Sequence, residues 1–137
     1  LDPCDALKAG ELAAGPGYTK GIDEDVRSIG TGILGQKGRV HLSFGTPIDQ
    51  VADVSDVVAA IDAQIRANYR LFETNLWAWQ RLENTNELPA VEIYPGTVSR
   101  QAFFDRIDAL PDAHQAQALA MYANPVRAAL GEFDGRH

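Results

Sequence analysis

Three histidines, four serines and one cysteine are the side chains of this 137-residue chain best suited to proton transfer or nucleophilic attack. A catalytic histidine needs an orienting carboxylate or a nucleophile beside it in space. His41 stands on the polar side of an alternating run, next to but one from Arg39. Together Arg39 and His41 are the candidates for contact with an anionic group. His114 falls in the first turn of a helix and His137 is terminal, so neither is assigned a role. No serine is flanked by glycines as in a nucleophile elbow, and Ser55 and Ser99 stand where helix caps are needed. The Cys4 thiol would have to lose its proton to attack, and Asp2 and Asp5 beside it oppose that. It reads as a small buried side chain. A single cysteine also allows neither an intrachain disulfide nor a cysteine zinc site. No metal and no cofactor is expected.

Gly30-Thr31-Gly32-Ile33-Leu34-Gly35 matches the G-x-G-x-x-G pattern. In dinucleotide folds that loop follows a strand and opens a helix, so that helix amides face the pyrophosphate. Here the order is reversed, and the glycines read as a helix end. The formal net charge of −7 excludes a nucleic-acid partner that requires a basic face. The longest apolar run, Ala118 to Ala123, is far short of the roughly 20 residues a membrane-spanning helix needs. The chain is therefore expected to be soluble by itself.

The elements that would position these residues are mostly helices. Asp2-Pro3 opens the first, since proline at the first helical position forfeits no hydrogen bond, and Gly15-Pro16-Gly17 stops it. A second begins near Asp23, with Ile22, Val26, Ile29 and Ile33 at helical spacing. Gly38 to Gly45 differs: Val40, Leu42 and Phe44 alternate with Arg39, His41 and Ser43, the period of a half-buried strand. Val54, Val57, Val58, Ile61, Ile65, Tyr69 and Phe72 then repeat at three and four residues, capped by Asp53 or Ser55. A short helix restarts at Thr74-Asn75, and residues 84–96 read as a loop. Tyr69, Phe72, Trp77 and Trp79 form an aromatic group that reads as core. Ser99 caps a helix with Phe103, Phe104, Ile107 and Leu110 inward; Asp112 caps the next, and Asn124-Pro125 breaks it to start a last one. The tail from Gly131 is expected to fray. The total is six or seven helices and one strand. A lone strand cannot satisfy its own edge, so this strand is expected to need a sheet from outside the chain.

Several segments together resemble one family. They are Leu1-Asp2-Pro3-Cys4-Asp5-Ala6-Leu7-Lys8-Ala9, Glu24-Asp25-Val26-Arg27-Ser28-Ile29, and Lys37-Gly38-Arg39-Val40-His41-Leu42-Ser43-Phe44-Gly45-Thr46-Pro47-Ile48. Asn68-Tyr69-Arg70-Leu71-Phe72, Thr74-Asn75-Leu76 and Met121-Tyr122-Ala123-Asn124-Pro125-Val126 continue the likeness. The chain resembles, from Leu1 to about Ala128, the C-terminal portion of bacterial glycerophosphate and lysophosphatidate acyltransferases. The family's base is a histidine followed, after four intervening residues, by an orienting aspartate. Thr46 stands at that distance from His41 and Leu119 from His114, so no catalytic residue carries over. Tyr94-Pro95-Gly96-Thr97 is superficially like a second family motif, which binds the acceptor phosphate, but lacks its glutamate and reads as a turn.

The resemblance implies a mainly α chain with minor β, the C-terminal part of an α/β acyltransferase fold. Residues 1–48 would complete the sheet, 49–130 would be helical and 131–137 a tail. Because the chain opens on Leu1 rather than Met, it is expected to be a processed or excised piece, inactive alone. Acyl-CoA or acyl carrier protein, a glycerol-phosphate acceptor and a membrane surface would be partners through the parent enzyme. The piece would be cytoplasmic, and its parent peripheral to or embedded in the inner membrane. A helical interaction module using the stretch from Tyr69 to Trp79 is the alternative.

Overall fold

The computed structural model describes residues 3–35, 38–49 and 53–131. Helix α1 (Pro3–Ala14) runs into a 3-10 turn at Gly15–Gly17, where Gly15 adopts a positive φ of 57°. Helix α2 (Glu24–Leu34) has two acidic residues in its first turn, where they complement the helix dipole, and ends against Gly35. Helix α3 (Val54–Asn68) is capped by Asp53, whose carboxylate accepts the Ser55 N–H at 3.3 Å. The expected cap at Asp2 and the tail beyond Gly131 lie outside the described residues.

The helical pattern that continues to Phe72 in sequence stops at Asn68. Its side-chain amide donates to the Gln64 carbonyl (2.9 Å), which ends the ladder with a local bond, and Tyr69 turns extended. Leu71–Phe72 then forms strand β1, parallel to β2 (Ile93–Tyr94), with Leu71 opposite Ile93 and Phe72 opposite Tyr94. Helix α4 (Glu73–Glu83) crosses between them and closes at Asn84, which adopts a left-handed φ of 50°. Asparagine tolerates that conformation better than most residues. Ser99 caps α5 (Arg100–Asp108) by accepting the Ala102 N–H at 3.1 Å.

Three expectations are corrected. The segment from Gly38 to Gly45 is not a strand. Residues 38–49 belong to no regular element, because a strand exists only as half of a ladder and no partner is present among the described residues. The loop over 84–96 contains β2. Finally, Asn124-Pro125 does not break the last helix, and Asp112 is its first residue rather than its cap: α6 runs unbroken over Asp112–Ala129 with Pro125 inside it. Proline removes one ladder bond, but Ala118, Leu119, Ala123 and Val126 keep one continuous buried face on both sides of it. Packing along that face outweighs the local loss. Pro125→Ala restores the missing donor and is expected to stabilise the chain by about 1–2 kcal/mol, after the greater freedom of the unfolded chain is subtracted. Urea unfolding checks this.

The core sits between α4 and α6, with α1 laid on α6 and α5 closing one side. Ala9, Leu71, Leu76, Ala78, Trp79, Phe103, Ile107, Leu119 and Val126 fill it. Trp77 packs against Phe103 with ring centroids 6.1 Å apart, and Tyr122 lies 5.3 Å from the same ring. Gly10 lets α1 approach α6 closely, since a Cβ there would stand 3.1 Å from the His114 ring. The Tyr122 hydroxyl donates to the Asp5 carboxylate across the same contact (2.5 Å).

The described residues between 22 and 65 differ in their exposure. The apolar stripes of α2 (Val26, Ile29, Ile33) and of α3 (Val54, Val58, Ile61, Ile65) are exposed. So are Val40, Leu42 and Phe44, the last at 88%. No helix among the described residues is long and apolar enough to cross a membrane.

Candidate functional site

The extended segment 38–49 separates two cavities. One, of about 570 Å³, lies between this segment and α3, and His41, Ser43, Gln64 and Arg70 line it. The other, of about 580 Å³, lies between the start of the segment, β1, the loop after β2 and α6, and is lined by Arg39, Thr74, Thr97 and Arg106. Tyr69 borders both. The fold therefore does not bring Arg39 and His41 to one site: each faces its own cavity.

The His41 cavity is anchored by one long side-chain bond, from Gln64 Nε2 to the Thr46 carbonyl (3.0 Å). The Arg70 guanidinium at its wall is already engaged. Arg70 lies over the Tyr94 ring at 4.7 Å from the centroid, donates to the Tyr94 hydroxyl and stands 3.6 Å from the Glu92 carboxylate. The hydrogen bond with Glu92 holds the Tyr94 hydroxyl above the usual tyrosine range, and Arg70 opposes that shift. Among the described residues no hydrogen bond joins His41 to a hydroxyl or a carboxylate. Among the described residues it therefore has neither an orienting carboxylate nor a nucleophile bonded to it.

The Arg39 cavity has a different chemistry. Two guanidinium groups arrive from distant parts of the chain, one on the extended segment and one on α5. Thr97 belongs to a turn that Glu73 fixes, its carboxylate accepting the Gly96 N–H at 2.8 Å. Phe72, Val98 and Met121 supply apolar wall. Asp5 also faces the space, with its carboxylate taken up by the Tyr122 hydroxyl. Tyr69 at the edge has its hydroxyl raised above the usual range, chiefly because packing desolvates that end of the ring, with Asp5 adding to it.

The remaining sequence candidates take structural places. Gly30 and Gly32 lie inside α2 and Gly35 at its end, with no strand before them among the described residues. Cys4 is half-buried where α1 meets α2, its Sγ 3.8 Å from the Ser28 carbonyl. His114 packs over Gly10, and His137 lies outside the described residues. Trp79 is buried and Trp77 half-buried, as a core assignment requires, whereas Tyr69 is exposed. Among the described residues no three His, Cys, Asp or Glu side chains gather to hold a metal. Arg106 carried no signal in sequence, and Thr97 entered only through the Tyr94-Pro95-Gly96-Thr97 turn, because their nearness depends on the fold. No protein-family model, curated protein or solved structure matches the chain.

Proposed function

We propose that this chain is the C-terminal portion of a phospholipid-synthesis acyltransferase. The parent would move an acyl group from acyl-CoA or acyl carrier protein to a glycerol-phosphate acceptor. In that reaction a base takes the proton of the acceptor hydroxyl, the alkoxide attacks the thioester carbonyl, and the thiolate leaves. The base and its aspartate would lie upstream of Leu1. This chain would contribute the end of the sheet and the helices behind it, with Arg39 and His41 as its candidate contacts for anionic substrate.

The observation that carries the proposal is the state of Val40, Leu42 and Phe44. They alternate as strand residues do, yet stand exposed in an extended segment without a ladder. Burying each such side chain is worth about 1.5–3 kcal/mol, and contiguous bare apolar surface marks a face that another surface covers. A sheet edge from the parent would satisfy both the side chains and the unpaired backbone. Burial of Trp79 takes one ring out of the aromatic surface that an independent interaction module would have used, whereas Tyr69 stays exposed.

Acyl transfer to lysophosphatidate from acyl-CoA tests the proposal. The chain alone is expected to show no turnover above background, and the reading frame extended upstream of Leu1 is expected to turn over. Activity of the chain alone, or an upstream frame without the histidine–aspartate motif, would overturn it.

A further inference from the structure

We infer that residues 39–45 are a strand-addition site for an acidic extended segment, one that alternates carboxylate and apolar side chains. Every residue from 38 to 47 is exposed. Among the described residues no backbone hydrogen bond joins 38–45 to another part of the chain. An extended stretch with an open edge binds another strand: main-chain bonds hold the partner, and its alternate side chains select it.

Charge decides which strand fits. The chain has 12 lysines and arginines against 19 aspartates and glutamates, yet residues 38–48 hold Arg39, His41 and no carboxylate. Among the described residues neither Arg39 nor His41 is in an ion pair or a hydrogen bond. Asp5 lines the same cavity as Arg39, but its carboxylate accepts the Tyr122 hydroxyl (2.5 Å), and Glu73 accepts the Gly96 N–H (2.8 Å). Arg39 and His41 alternate with Val40, Leu42 and Phe44, which are 75%, 73% and 88% exposed. Once the segment is paired, the two sets fall on opposite faces. A partner running in either direction also presents every second side chain to each face. Carboxylates on one face then stand by Arg39 and His41, and apolar side chains on the other stand by Val40, Leu42 and Phe44. Cross-strand pairs of both kinds stabilise a ladder. A second copy of the chain fits less well, because each copy carries a net −7. The inference rests on the part of the acyltransferase reading in which this segment completes a sheet. It gives Arg39 and His41 the strand's carboxylates in place of the substrate contacts considered above.

Titration of the chain with a blocked heptapeptide alternating glutamate and valine, followed by calorimetry and by amide exchange, is the test. Saturable binding is expected, with every second amide of 39–45 slowed. A glutamine–valine peptide binds more weakly and a lysine–valine peptide most weakly, and the differences shrink in high salt. Arg39→Gln weakens the glutamate peptide about two- to fivefold, the worth of one cross-strand charge pair, and leaves the glutamine peptide unchanged. Arg100→Gln, an equal charge change at a residue whose guanidinium lies over the Phe104 ring (5.7 Å), changes neither. Arg39 is exposed on a segment outside the core, so its variant keeps the fold, and the thermal midpoint verifies that. A glutamate peptide methylated at every backbone nitrogen does not bind. Absence of saturation, equal affinity for the glutamate and lysine peptides, or undiminished binding of the methylated peptide would overturn the assignment. So would protection of 39–45 at raised chain concentration without peptide, which assigns the edge to a second copy. Turnover by the reading frame extended upstream, without a glutamate preference here, removes the acidic strand alone. The preference without that turnover keeps the strand and removes the acyltransferase.

Discussion

Phe103→Ala is expected to destabilise the chain by about 3–5 kcal/mol, the usual cost of emptying a buried aromatic site. Phe103 is wholly buried. Its ring is the centre of an aromatic group, with Phe104 and Tyr122 each at 5.3 Å and Trp77 at 6.1 Å. Those neighbours sit on α4, α5 and α6, so one truncation loosens the aromatic packing between these helices. Few other large side chains are fully buried; Ile107 and Val126 are the next. The core cannot redistribute the loss, and the surrounding elements are too constrained to collapse onto the void. For a unit of this size the thermal midpoint should fall by roughly 10–30 °C. Denaturant and thermal unfolding of the variant measure it. A change below about 1 kcal/mol, the level of a surface substitution, would contradict the assignment of a single core around this ring.

Asn75→Ala should cost about 2–4 kcal/mol by a different mechanism. Asn75 is buried, and its carboxamide spans two backbone groups: the oxygen accepts from the Phe72 N–H and the nitrogen donates to the Tyr122 carbonyl. The first bond starts α4 directly after β1. The second joins α4 to the middle of α6. Alanine leaves the Phe72 N–H without a partner where water has little access, at about 1–3 kcal/mol, and takes the second donor from the Tyr122 carbonyl, which keeps its place in the α6 ladder. Asn75→Asp separates the two bonds. It keeps an acceptor for Phe72 but sets a carboxylate against the Tyr122 carbonyl, so at neutral pH it should destabilise at least as much as alanine. Equilibrium unfolding of the two variants side by side checks the ordering. Retained stability in the alanine variant would mean that the two bonds do not hold α4 in place.

What the sequence disclosed follows from how local each cause is. Asp53 and Ser99 were legible as caps because a cap acts within three residues of its own position, and both accept the expected N–H bonds. Gly15-Pro16-Gly17 was legible as a stop for the same reason. The strand at Val40 to Phe44 was not decidable, since alternation records what a segment would bury and not whether a ladder partner is present. The reverse holds for Leu71–Phe72 and Ile93–Tyr94. Two residues are too few to show a period, and only their pairing makes them strands. Pro125 misled because its local cost is real, yet the apolar face shared by Leu119 and Val126 on α6 outweighs it. At the candidate site, Arg39 stood out from its alternating neighbours. Arg106 did not, and Thr97 did only as part of a turn, because their nearness to Arg39 is produced by the packing of α5 and by the turn that Glu73 holds. The place of Arg70 over the Tyr94 ring is produced by the pairing of β1 with β2.

The stripes on α2 and α3 join these two levels. Their helical spacing was plain in sequence, and the helices form. Among the described residues nothing covers them, nor Val40, Leu42 and Phe44. The proposed sheet partner accounts for all three apolar surfaces at once, because a segment laid on a sheet edge carries its flanking helices onto the adjoining faces.

Amide hydrogen exchange, measured on this chain and on the reading frame extended upstream of Leu1, tests that account most directly. In the chain alone residues 39–45 should exchange almost as fast as an unfolded peptide, while residues 118–126 of α6 are protected by the core. In the extended chain residues 39–45 should become protected to a level comparable with α6. Protection of 39–45 in the chain alone, or its absence in the extended chain, would contradict the proposal that this segment completes a sheet supplied by the rest of an acyltransferase.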